Sequence, residues 1–153
     1  TALGRNAMSK PTLPDVNVWL ALSLEAHPLH PQAMHWFEGA RTGSVHFCRY
    51  TQQSTLRLLT TAALTSPLGL SPLTNKGAIK AMQGMLDDPR IVFADEPVGL
   101  HSVWMELAAT STASPKLWMD AYLAAFARTG GYVLVTNDKA FKQFGDVPVQ
   151  LLR

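Results

Sequence analysis

Apolar residues fall along this chain in short bursts, and the bursts alternate between two periods. The run Thr12-Leu13-Pro14-Asp15-Val16-Asn17 reads as a short strand with a polar tip, and residues 18–26 as an apolar helix broken at His27-Pro28. Residues 30–40 place Ala33, Met34, Trp36, Phe37 and Ala40 at helical spacing and stop near Gly43. Val45-His46-Phe47-Cys48 is β-branched and aromatic, hence a second strand. Residues 51–63 put Leu56, Leu59 and Ala63 on one helix face, with Thr51 as the expected N-cap. A Pro-Leu-Gly loop at 67–72 leads to a helix over Asn75–Leu86, a polar turn at Asp87-Asp88-Pro89 and a third strand at Ile91-Val92-Phe93-Ala94. Helices are expected over 98–110 and 116–129, the second closed by Gly130-Gly131. A fourth strand, Tyr132-Val133-Leu134-Val135, meets Thr136-Asn137-Asp138; a short helix over 139–144 and a strand over 147–151 finish the chain.

Strands alternating with helices predict an α/β fold, with a parallel sheet of about four to five strands and helices on both faces. The strands are nearly unbroken apolar runs, as a sheet buried on both faces requires. The class is therefore a single-domain three-layer sandwich.

Composition narrows this only a little. The 153 residues suit one domain, and 47% hydrophobic with 16% charged residues excludes a disordered chain. A lone cysteine, Cys48, excludes an intrachain disulfide and is expected in the core. No apolar run is long enough to span a bilayer and no secretory signal is evident, so a cytoplasmic protein with no membrane partner is expected. Residues 1–7 differ in character from the rest and read as a leftover of expression cloning, with one domain over 8–153. A net charge of +2 is compatible with a polyanionic partner but does not require one.

Candidate chemistry lies where parallel strands end, because open α/β sheets bind ligands beyond their carboxyl edge. Asp15 closes the first strand, Asp138 follows the fourth, and Asp120 lies near the start of a helix, four residues after Lys116. Clustered carboxylates stay ionised only when a cation compensates them, and oxygen ligands suit Mg2+ or Mn2+. Each aspartate also has a plainer reading, as an N-cap or as a helix-start acid that favours the macrodipole. Spacing alone leaves both readings open.

Three strings resemble the acidic motifs of PIN domains, in the family's order: Leu13-Pro14-Asp15-Val16-Asn17-Val18-Trp19-Leu20, Trp118-Met119-Asp120-Ala121-Tyr122-Leu123-Ala124, and Leu134-Val135-Thr136-Asn137-Asp138-Lys139. The resemblance takes in His27-Pro28-Leu29-His30 and Cys48-Arg49-Tyr50-Thr51-Gln52, and is closest to the VapC-like toxins of bacterial toxin–antitoxin pairs. It implies a PIN-like sandwich and a metal-dependent endoribonuclease in which Asp15, Asp120 and Asp138 hold Mg2+ or Mn2+. By the same resemblance Asn17 orients Asp15 or its water, Thr136 offers a hydroxyl near the metal, and Asn137 supports the site. Gln52 stands where the family often has an acid, so a second metal would be held more weakly. RNA is the implied substrate, with a small antitoxin and a homodimer as implied assemblies. Apolar surface around residues 18–24 and 33–37 is the expected contact face.

Other residues carry less. The five histidines with one cysteine do not make a zinc set, and no nucleophile elbow, phosphate loop or dinucleotide fingerprint occurs. Trp19, Trp36, Trp104 and Trp118 are expected in the core or an interface, and Asp95-Glu96 in a solvated turn. Lys116, one helical turn before Asp120, is the preferred phosphate contact; Arg57 is the second, with a structural salt bridge as its alternative. The rival readings are a degenerate PIN-like module that binds protein or RNA, and a metal-dependent DNase or phosphatase using the same carboxylates.

Overall fold

The structure, a computed structural model, describes residues 10–153, so the expected boundary between 1–7 and the domain lies outside the described residues. Five short strands form one sheet in the order β3-β2-β1-β4-β5, all neighbours parallel. They are β1 (Thr12–Pro14), β2 (Val45–Phe47), β3 (Ile91–Phe93), β4 (Val133–Thr136) and β5 (Val149–Leu151). Leu13 pairs with Leu134 and Pro14 with Val135, while Thr12 also pairs with Val45. The chain builds outward from β1 to the β3 edge, then returns to the other side of β1 to lay down β4 and β5. Strand order therefore reverses between β1 and β4, and the loops leaving these two strands diverge to open a crevice.

Among the described residues seven α-helices flank the sheet: α1 (Val16–Ser23), α2 (His30–Glu38), α3 (Arg49–Leu59), α4 (Ala62–Thr65), α5 (Asn75–Leu86), α6 (Leu100–Ala108) and α7 (Leu117–Gly130). Two 3-10 turns, Ser66–Leu68 and Lys139–Gln143, complete the elements. α1 begins two residues before its expected start because Asp15 caps it, accepting from the Val18 N–H at 3.1 Å. α3 also begins early. Thr51 is not its N-cap; from inside the first turn the Thr51 hydroxyl accepts from the Cys48 N–H at 3.1 Å, which makes Cys48 the cap. α7 is capped by Gly131, whose φ of +76° suits a residue without a Cβ.

Alternation along the strands divides the core between the two faces. Leu134 faces Phe126 and Ala124 of α7, while its neighbour Val135 faces Val18 and Ala33 of α1 and α2. On that second side Trp19 stacks on Phe47, with ring centroids 3.5 Å apart and planes 14° from parallel. Within the expected contact face of 18–24 and 33–37, Val18, Trp19, Leu20, Ala21, Ala33 and Phe37 are buried within the domain, because the helices turn that stripe onto the sheet, while Leu22, Leu24, Met34 and Trp36 stay partly exposed. The large apolar side chains left exposed are elsewhere, Trp118, Met119, Val98 and Ile79 among them. Trp19 is fully buried and Trp118 is half exposed, so the tryptophans divide between core and surface. Cys48 is buried, and among the described residues no helix is long and apolar enough to cross a membrane.

Candidate active site

Asp15 is the first residue after β1 and only 6% exposed. Besides capping α1, its carboxylate accepts from the Thr136 hydroxyl at the end of β4. The same hydroxyl accepts from the Asp138 N–H at 3.0 Å, so Thr136 joins the two strand ends through one atom. Asp138 caps the following 3-10 turn, accepting from the Ala140 N–H at 2.9 Å. Asp120 lies in the first turn of α7. Lys116 sits between the last two, its Nζ 3.2 Å from Asp138 Oδ2 and 3.9 Å from Asp120 Oδ2.

The capping reading thus holds for Asp15 and Asp138, and it is compatible with the site reading. Where a parallel strand feeds directly into a helical turn, a cap residue sits at the carboxyl edge of the sheet, so one carboxylate oxygen holds the turn and the other meets Thr136 in Asp15 and Lys116 in Asp138. Asp15, Asn17, Asn137, Asp138 and Lys139 line an open depression there, and Lys116 links Asp120 to it.

The electrostatics match an incompletely compensated cluster. Burial pushes the Asp15 carboxyl up to about 6; the Thr136 and Val18 hydrogen bonds pull it down, and the charges of Asp138 and Asp120 raise it. Burial also raises Asp120, opposed by Lys116 and reinforced by Asp138. Asp138 is lowered, chiefly by the Ala140 N–H and also by the Lys116 ammonium. The aspartates in turn raise Lys116, with the Asp138 hydrogen bond as the main cause.

Among the described residues no three His, Cys, Asp or Glu side chains close around a common point at metal-binding distance. The donor chemistry nonetheless fits a hard divalent ion. Mg2+ takes only one or two carboxylates directly and keeps several waters, so an open set of oxygens meets its needs better than a tight cage. The Lys116 ammonium already rests between two of the carboxylates, which marks that spot as one favouring positive charge.

The other expected residues divide. The Asn17 amide does not touch Asp15; it donates to Asn137 Oδ1 at 2.8 Å and meets His27 Nε2 at 3.0 Å through its Oδ1. Gln52 has no contact with the carboxylates, because its amide oxygen accepts from Arg49 Nη1. Arg57 lines a groove between α3 and α5 with Leu56, Thr60, Asn75, Ala78 and Ile79, and makes no ion pair among the described residues. Of the Asp95-Glu96 pair, Glu96 Oε1 accepts from the Tyr122 hydroxyl at 3.0 Å. Sequence reasoning about candidate site residues passed over two neighbours. Tyr50 packs edge-on against Tyr122 with centroids 5.7 Å apart, and it feels the charges of both Asp120 and Asp15. His27 reaches the site through Asn17. Both fall within the strings that carried the resemblance, and that was their only signal.

A three-layer α/β sandwich with strand order 3-2-1-4-5 and aspartates at its switch point defines the class: the chain belongs to the PIN domain family, which it matches over residues 12–147. More particularly, it is similar to Ribonuclease VapC41 of Mycobacterium tuberculosis, with 49% identity over 140 residues covering 90% of this chain and 96% of that one. Its fold is similar to that of M. tuberculosis VapC20, a Sarcin-Ricin loop cleaving toxin, with a TM-score of 0.63, 20% identity and coverage of 91% and 98%. It is also similar to a chain of VapBC2 from Rickettsia felis, solved bound to a DNA fragment from its promoter, with a TM-score of 0.63, 11% identity and coverage of 93% and 98%.

Proposed function

We propose that this protein is a VapC-type toxin: an endoribonuclease that hydrolyses RNA phosphodiester bonds with a divalent ion, Mg2+ or Mn2+, held by Asp15, Asp120 and Asp138. The observation that carries the reading is buried Asp15 at the switch point of the sheet, within reach of the charges of Asp138 and Asp120, which themselves hold the Lys116 ammonium between them. RNA as substrate is supported by the similarity to Ribonuclease VapC41.

The ion, when bound, supplies positive charge for the phosphodiester and a more acidic water. The chain's own residues prepare the ground. Asp15 is held in one rotamer by Val18 N–H and the Thr136 hydroxyl, so its free lone pairs keep a fixed direction. The Thr136 hydroxyl also fixes the turn that carries Asp138. Lys116, three-quarters exposed at its side chain, provides a mobile cation for a phosphate oxygen. A small antitoxin partner, a homodimer and a cytoplasmic location belong to the same reading; kinship with a VapBC pair supports the antitoxin.

The test is cleavage of a labelled RNA pool with Mg2+ or Mn2+ by wild type, Asp15→Asn and Asp120→Asn. Metal-dependent cutting lost in both variants is expected. A folded, antitoxin-free wild type that cuts DNA or phosphate esters and spares RNA would replace this substrate with the rival one. No cutting at all would leave a binding module, the reading favoured by Gln52 standing neutral and engaged with Arg49.

A further inference from the structure

His27 lies in the connection between α1 and α2, outside the carboxylate cluster, yet both of its ring nitrogens are committed. Nδ1 faces the Leu29 N–H at 3.1 Å. A backbone N–H only donates, so Nδ1 accepts, and the neutral ring carries its hydrogen on Nε2. Nε2 therefore donates to Asn17 Oδ1 at 3.0 Å. That contact fixes which end of the Asn17 amide points where. With Oδ1 turned to His27, Nδ2 is left to donate to Asn137 Oδ1 at 2.8 Å, across a separation of 120 residues in sequence. Burial, with the nearby His30 charge, lowers the His27 basicity, which agrees with a neutral imidazole.

The consequence concerns the crevice. Asn17 lies on the first turn of α1, two residues after Asp15; Asn137 precedes Asp138 in the turn after β4. Apart from the Thr136 hydroxyl, the Asn17–Asn137 bond is the side-chain hydrogen bond that ties the β1 side of the crevice to the β4 side among the described residues. We propose that His27 is a positioning residue: by orienting the Asn17 amide it holds the Asn137–Asp138 turn against the start of α1, and so sets the spacing at which Asp15 and Asp138 present their carboxylates. The proposal rests on the metal reading of the site only for its consequence for metal binding, since the hydrogen-bond chain stands by itself.

Two amides separate this role from a purely structural one. Glutamine places its NH2 where the imidazole has Nε2, and asparagine places its oxygen where the ring has Nδ1. His27→Gln thus keeps the contact to Asn17 and loses the one to Leu29, and His27→Asn does the reverse. In metal-free 15N-labelled protein, the Asn17 side-chain amide hydrogens are expected to exchange slowly in wild type and His27→Gln. In His27→Asn they are expected to exchange at the rate of a free amide. Long-range 1H–15N spectra should show the Nε2–H tautomer for His27. With Mn2+ as the probe, read by the electron paramagnetic resonance of the free ion, His27→Gln should bind nearly as wild type. His27→Asn should bind about tenfold more weakly, at the low end of losses seen when an outer partner of a metal ligand is removed. Asn137→Ala should match it, and the His27→Asn/Asn137→Ala pair should lose no more than either single change. The proposal is overturned if His27→Asn retains slow exchange at Asn17, if the ring is an Nδ1–H tautomer, or if asparagine preserves Mn2+ binding better than glutamine. Should wild type bind no Mn2+, the metal reading fails, and the exchange of the Asn17 amide still decides the role of His27.

Discussion

Replacing Asp15 with asparagine perturbs the most buried charge of the site and should change stability in a pH-dependent way. In the folded chain the carboxyl is raised from 3.8 to about 6, with burial as the main cause. Two pKa units amount to about 3 kcal/mol favouring the protonated form in the folded state. Below 3.8 both folded and unfolded chains carry the proton, and no penalty applies. Between 3.8 and about 6 the unfolded chain ionises while the folded one does not, so wild-type stability falls as pH rises; above that window the loss is constant. Asparagine retains the oxygen that caps α1 but leaves the Thr136 hydroxyl without its acceptor, a loss of about 1 kcal/mol. Asp15→Asn should therefore be about 1 kcal/mol less stable than wild type near pH 3.5, and about 2 kcal/mol more stable at pH 8. Urea unfolding in EDTA measures this: with a slope near 2 kcal/mol per M, the midpoint difference should swing by about 1.5 M between the two pH values. Added Mg2+ should then stabilise wild type and leave the variant unchanged. A difference that stays constant across the pH range would refute the claim that Asp15 sits buried and undercompensated.

Further outcomes follow from the same geometry. Lys116→Met should change stability by less than about 1 kcal/mol, since the ammonium is exposed, yet carbon NMR titration should show the Asp120 carboxyl rising further. Leu134→Ala removes a fully buried side chain between sheet and α7 and should cost about 2–5 kcal/mol in urea unfolding. Gly131→Ala, at φ +76°, should cost about 1 kcal/mol, whereas a Cβ at Gly130 would stand 2.3 Å from the Tyr132 ring, so Gly130→Ala should also disturb the Tyr132–His46 contact in NMR spectra. Gln52→Glu should exchange a hydrogen bond for an ion pair with Arg49 and leave the Mn2+ stoichiometry unchanged in calorimetric titration.

Much of this protein was determined by sequence alone, and for a definite reason. Helix and strand periods are local properties, so α5 falls on Asn75–Leu86 as expected, and each predicted strand exists, β4 shifted by one residue and the others shorter. Asp15 and Asp138 were legible as candidates because capping residues at strand–helix junctions are written in adjacent positions, whereas Asp120, inside the first turn of α7, rested on the resemblance of the ordered motifs. Boundaries shifted where a side chain reached back to the backbone, as Asp15 does to Val18 and Thr51 to Cys48. What only the tertiary structure decided depends on pairings distant in the chain. The apolar stripe of residues 18–24 fits a core or an interface equally well by pattern, and the sheet beneath it made Val18 to Ala21 core while Leu22 and Leu24 stayed partly exposed. Asn17 and Asn137 are 120 positions apart, and the tautomer of His27 follows from a bond to Leu29; no spacing rule encodes either. Burial, finally, gave Asp15 its high pKa: a carboxylate's chemistry depends on the water it loses, which is set by what folds over it.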